Sequence, residues 1–141
     1  MEKPADFLAE IYRGAKMGVE TIDTVLNKVN DPKMKEELIR EQHDFRKFEM
    51  KAMEELVKNN QEPKDLPAMQ KMGAWMGIQM KTVVDSSPSH IADLMIQGNN
   101  MGIVGINKTK NRHTPCKYDA LADELVQMQQ RHIEQLKPFL K

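Results

Sequence analysis

The stretch Asp85-Ser86-Ser87-Pro88 decides how this chain folds. It interrupts residues 67–109, a segment with few charges that would otherwise read as one helix. At about 1.5 Å per residue such a helix would reach roughly 65 Å, whereas the first amphipathic segment, near 4–29, spans about 39 Å. A single helix overshoots its neighbours, so the segment divides at Ser87-Pro88. Serine offers its side-chain oxygen to the orphan N–H groups of a new first turn, and proline, which has no N–H, is best tolerated there.

The same punctuation recurs along the chain. Pro4, Pro32, Pro67, Pro88 and Pro115 all fit helix starts, and Asp31, Ser87 and Thr114 precede three of them as caps. The expected helices lie near 4–29, 32–60, 67–85, 88–109 and 115–137, with Pro138 closing the last. Apolar spacing agrees. Leu8, Ile11, Ala15, Gly18, Ile22, Val25 and Val29 recur at steps of three and four. Met34, Leu38, Phe45, Ala52 and Leu56 form one face of the second helix, and Tyr118, Leu121, Leu125, Met128, His132, Leu136 and Phe139 one face of the last. The third and fourth segments are apolar or uncharged nearly all round, the pattern of helices contacted from several sides. The fold class expected is all-α: two antiparallel hairpins, with 67–85 as a return of about 28 Å that brings 88–109 parallel to 32–60.

The chain of 141 residues suits one domain, 1–141, with a single core. Lys plus Arg (21) equals Asp plus Glu (21), so the basic excess that draws proteins to nucleic acid or anionic lipid is lacking, and neither partner is expected. The uncharged run Leu94–Asn107 falls short of the roughly 18 residues of a membrane span. The start, MEKPADF, has no signal-peptide core. Cys116 is the single cysteine, which excludes an intrachain disulfide and fits a reducing compartment, so a cytoplasmic location is expected.

IYRGAKMGVETIDTVLNKV (11–29), GAWMGIQM (73–80), Asp85 with the SSPSHIADLMIQGNNMGI that follows it (86–103), and IEQLKPFL (133–140) resemble a group of small bacterial proteins of the ferritin-like superfamily. The likeness covers nearly the whole chain and implies the fold: a ferritin-like four-helix bundle with an additional crossover helix, five helices in all. It does not carry an activity, because relatives on this scaffold differ in what they do.

Metal-containing members of the superfamily hold two iron or manganese ions with an inward Glu on two helices and a Glu-x-x-His pair on each of the other two. At 100° per residue, Glu20 lies about 160° and Glu10 about 120° from a buried face centred on Ile22, so the first helix is expected to supply no inward carboxylate. The second offers Glu41-x-x-Asp44, with Glu41 near the buried face, Asp44 about 120° off it, and no histidine. The fourth offers Asp93, and the fifth Glu124-x-x-Gln127. A two-metal centre is therefore not expected.

A smaller polar group remains. His132 lies on the buried stripe of the last helix, and folding the last two helices about the turn near Arg112 brings it level with residues 90–97. His90, Asp93, Gln97, His132 and Glu41 are thus expected in one polar layer. Two readings of it are open. His132, His90, Asp93 and Glu41 suit a single Fe, Mn or Zn ion. The residues favour the second reading, a hydrogen-bonded layer in which Glu41 or Asp93 pairs with His132 and fixes helix register.

Gly98 and Gly102, with Gly73 and Gly77, cost about 1 kcal/mol each relative to alanine in a helix, which close approach of a backbone or of Trp75 would offset. Met69, Met72, Met76 and Met80 suit adaptable packing or a partner surface. A homo-oligomer assembled through helices 67–85 and 88–109 is accordingly expected, and a small-molecule site between those two helices is the remaining alternative. Cys116 reads as a bystander and the basic stretch 107–113 as a solvated loop. The function expected from sequence is binding or self-assembly without an intact two-metal centre, with single-metal binding and a redox role as the alternative.

Overall fold

The computed structural model describes residues 4–61 and 85–141. These form four α-helices and one short 3-10 turn: α1 (Pro4–Leu26), α2 (Pro32–Lys58), α3 (Pro88–His113), α4 (Asp119–Leu136) and the turn Lys137–Phe139. No strand occurs among the described residues. The helix expected over 67–85 lies outside the described residues, apart from Asp85. That residue is not helical; its carboxylate accepts from the Ser87 N–H at 2.9 Å.

Two expected caps are formed. Asp31 Oδ2 accepts from the Met34 N–H at 2.9 Å and Ser87 Oγ from the His90 N–H at 3.3 Å, each followed by a proline in the first turn. The third is not. The Thr114–Pro115 bond is cis, and α3 continues past the expected end at 109 to His113, where Thr114 is its C-cap. The last helix begins at Asp119 rather than at 115. Asp119 draws the turn together by accepting from Thr114 Oγ1 at 2.7 Å and from the Cys116 N–H at 3.1 Å. Cys116 is thus a half-buried turn residue, not a member of a helical first turn.

Two contacts fix the directions of the helices. The Phe7 ring, at the start of α1, stacks on the His113 ring at the end of α3, centroids 5.2 Å apart. Asn59, just past α2, donates to the Tyr118 hydroxyl just before α4 at 2.9 Å. The starts of α1 and α4 therefore share one end of the bundle with the ends of α2 and α3. It follows that α2 and α3 run parallel, a direction that a tight turn cannot produce and that requires a long connection. Packing is most extensive within the hairpins α1–α2 and α3–α4, and α1 also lies along α3.

The core holds the expected stripes: Leu8, Ile11, Ile22 and Val25 from α1, Met34, Leu38 and Leu56 from α2, and Leu125, Met128 and Leu136 from α4 are all buried. Apolar burial of this kind, at about 25 cal/mol per Å², is the main favourable term holding the helices together. Gly18 lets α2 approach closely: a Cβ there would stand 2.6 Å from the Phe45 ring. Gly102 does the same for α4, where the Gln129 amide occupies the space a side chain would need. No described helix is long and apolar enough to cross a membrane.

Candidate functional site

Three acidic residues of α2, Glu37, Glu41 and Asp44, follow one another at steps of four and three, which sets them along one side of the helix. That side adjoins the apolar row Met34, Leu38 and Phe45, so packing the row carries the first two carboxyls inward with it. Glu41 is 0% exposed and Glu37 is buried, whereas the Asp44 side chain keeps 40% of its surface. From the facing helix α4 comes His132, 1% exposed, on the stripe of Leu125, Met128 and Leu136.

The imidazole sits between two of these acids. His132 Nε2 lies 3.0 Å from Asp44 Oδ2, a hydrogen bond, and Nδ1 lies 3.6 Å from Glu41 Oε1. The Phe45 ring meets the imidazole edge-on at 5.2 Å. At the outer margin Arg40 Nη2 donates to Glu37 Oε1 at 2.8 Å.

Electrostatics decide what this cluster is. Burial away from water pushes the Glu41 carboxyl up to about 10, and the neighbouring Glu37 and Asp44 carboxylates push the same way. Burial also lowers the His132 pKa, against the opposing pull of Asp44. At neutral pH the pair is therefore a carboxylic acid beside a neutral imidazole, not an ion pair. With Nε2–H donating to Asp44, the imidazole keeps its lone pair on Nδ1, on the side of Glu41. Both Glu41 oxygens, Glu37 Oε2 and His132 Nδ1 are buried without a hydrogen-bond partner. The arrangement holds a proton on Glu41, 3.6 Å from the Nδ1 lone pair of His132.

The expected polar layer is only partly assembled. Glu41 and His132 come together, but Asp93 and Gln97 are exposed and His90 is half-buried in the first turn of α3. No hydrogen bond or ion pair among the described residues joins His90 or Asp93 to His132. Three carboxyls depart from the expectation. Asp44, expected to face away, bends back to His132. Glu37 joins the cluster as well, and its spacing of four from Glu41 is the sequence signal that marks it. Glu10, expected to point outward, is buried, and Arg112 Nη2 stands 3.3 Å from its Oε1. The first helix thus does supply a buried carboxylate, in a contact with α3 separate from His132.

The described residues do not supply the Glu-x-x-His pairs of a two-metal centre. Where a Glu-x-x-His pair would be needed, α2 offers Glu41-x-x-Asp44 and α4 offers Gln129-x-x-His132. The buried polar residues of α3 are Asn99 and Thr109, not a carboxylate. Among the described residues no group of three or more His, Cys, Asp or Glu is arranged to hold a metal ion.

No protein-family model, no characterised protein and no solved structure matches the chain.

A second feature is a half-open pocket of about 50 Å³ between α1 and α3, lined by Gly14, Gly18, Gly98, Gly102, Asn99 and Gln129 among others. Asn99 Oδ1 and Gln129 Oε1 have no partner there. The space is about a third of the roughly 150 Å³ of a closed cavity that admits a benzene ring, and it opens to the surface. The small-molecule site expected between 67–85 and 88–109 falls partly outside the described residues.

Proposed function

We propose that this chain is a ferritin-like bundle that has exchanged the two-metal centre for a protonated carboxyl and a neutral imidazole, and that it works inside the cell by binding and self-assembly. One observation carries the reading. His132, the histidine that α4 turns toward the bundle interior, meets Glu41, an acid that burial holds neutral, where a bridged pair of cations would require ionised carboxylates on four helices. The parallel directions of α2 and α3 support the ferritin-like connectivity, and the balanced charge of the chain supports a protein partner over nucleic acid.

The test has two parts. Elemental analysis of untagged protein, before and after incubation with Fe, Mn and Zn salts, is expected to find metal well below one ion per chain. Light scattering is expected to find a particle larger than the monomer. Near-stoichiometric metal would overturn the first half, and a monomer at every concentration the second.

The unpartnered atoms of the cluster favour a second reading. Glu41, Glu37 Oε2 and His132 Nδ1 have electron pairs to offer, so a single Fe, Mn or Zn ion bound at His132 and Glu41, with a redox role, is the alternative. Binding there would have to expel the Glu41 proton. Affinity should then rise steeply with pH, which zinc titration at several pH values measures.

A further inference from the structure

Five large apolar side chains are exposed among the described residues, and three of them lie on α2: Ile39 (55%), Met50 (61%) and Val57 (64%). They do not scatter. At 100° per residue all three fall within about 20° of one line along the helix, on the side turned away from the core residues Leu38, Phe45 and Leu56. Between them lie His43, Arg46 and Met53, the first two exposed and the third half-buried. Together Ile39, His43, Arg46, Met50, Met53 and Val57 follow steps of four, three, four, three and four. This is the alternating spacing with which one helix presents a seam to another helix. Met53 also packs against the monomer's core, but Ile39, Met50 and Val57 do not belong to it, because the core face of α2 is already filled from the other side.

We propose that this outer stripe of α2 is a self-association face, on which a second copy of the same helix lies antiparallel across a two-fold axis near residue 48. The inference rests on the self-assembly reading above and gives it a location, different from the helices 67–85 and 88–109 expected from sequence. Within α3, Val104 is the one large apolar side chain exposed.

The occupant is chosen by self-complementarity. A two-fold axis requires each residue to find a suitable partner at the mirrored position of the same stripe. About residue 48, Ile39 meets the second copy's Val57, His43 meets Met53, and Arg46 lays its aliphatic stem on Met50. Charge runs the same way. Within two residues of the axis the first half of the face carries Arg46 and Lys47, and the second half carries Glu49. Antiparallel pairing sets Arg46 beside the second copy's Glu49. Parallel pairing would instead stack Arg46 on Arg46 and His43 on His43 in the seam. Lys47 meets its own copy beside the axis, a repulsion that its long side chain relieves by reaching into solvent.

Sedimentation velocity of the full chain over rising concentration tests this. The expected result is a reversible monomer–dimer equilibrium that Met50→Glu weakens about tenfold or more, since burying a charge at the centre of a seam removes an apolar contact and leaves the charge unpaired. Met50 is exposed in the monomer, and unchanged far-ultraviolet circular dichroism verifies that the variant folds. Val104→Glu, away from the stripe, should leave the equilibrium as it is. Arg46→Glu and Glu49→Arg should each weaken the dimer, and the double exchange should restore it. A dimer indifferent to Met50→Glu and Ile39→Glu would sink this face while leaving self-assembly intact. A wild-type chain that stays monomeric at all concentrations would sink both.

Discussion

His132 and Glu41 face each other across the bundle interior, Nδ1 to Oε1 at 3.6 Å, and neither is charged. A formal acid–base pair has been taken so far from water that its neutral form is the stable one. The cluster reaches solvent at two margins, where Asp44 holds Nε2 from a partly exposed position and where the exposed Arg40 holds Glu37.

Glu41 makes stability depend on pH in a direction opposite to that of an ordinary carboxylate. Its folded pKa is raised, so the native state binds the proton that the unfolded chain releases above the usual carboxylate range. Stability from this group is present in full at low pH and falls as pH rises toward about 10. The slope is at most about 1.4 kcal/mol per pH unit. Glu41→Gln keeps the shape without the proton, so it should stabilise the fold by about 1–3 kcal/mol near pH 8 and by little near pH 5. Urea unfolding of both proteins across that range measures the difference, and parallel curves would contradict it.

His132 titrates against this trend. Its lowered pKa means that the folded state favours the neutral ring, so its contribution holds above the ordinary histidine range and declines as pH falls through the folded value. His132→Leu should remove that acid-side loss. At neutral pH the change should stay within about 1 kcal/mol, because Asp44 can turn to water and Glu41 is already neutral. His132→Ala, which leaves a hole beside Phe45, should cost about 2–4 kcal/mol. Equal losses in the two variants would mean that the hydrogen bond to Asp44, not volume, holds this layer.

Gly18 and Gly102 should respond differently to alanine. Alanine gains about 1 kcal/mol of helix propensity at either position. At Gly18 the new methyl would strike the buried Phe45 ring at 2.6 Å, and the ring is confined by His132. A net loss of about 1–3 kcal/mol is expected there. At Gly102 the obstacle is the end of the Gln129 side chain, which can swing toward the neighbouring pocket, so the loss should be smaller. Thermal unfolding of the two variants ranks them.

Asp31 closes the open end of α2 by accepting from Met34 N–H. Asp31→Ala should therefore cost about 1 kcal/mol, and Asp31→Ser should recover most of it. Loss of stability in the serine variant equal to that in alanine would show that the cap is not what Asp31 supplies.

Local chemistry makes much of this bundle legible in the sequence. Asp31-Pro32 and Ser87-Pro88 mark helix starts because a cap and a missing N–H act within one turn, with no reference to the rest of the fold. The buried rows of α1, α2 and α4 follow from helical geometry alone. The same logic does not hold at Thr114-Pro115, where the carboxylate of Asp119 gathers the turn and delays the helix to its own position. Helix α3, glycine-rich and short of charge, presents no stripe from which to judge its faces, so spacing points to His90 and Asp93 as neighbours of His132 when Asp44 and Glu37 hold that place.

What the amino-acid order determined by itself was therefore the all-helical class, the outline of four described helices and the identity of Glu41 and His132 as inward groups, since each depends on neighbours within a turn or two. Tertiary structure alone decided the partners and the protonation. Asp44 reaches His132 only because α2 and α4 face each other at that level, and Glu41 stays neutral only because packing from several helices strips it of water, a property no spacing along one helix can express.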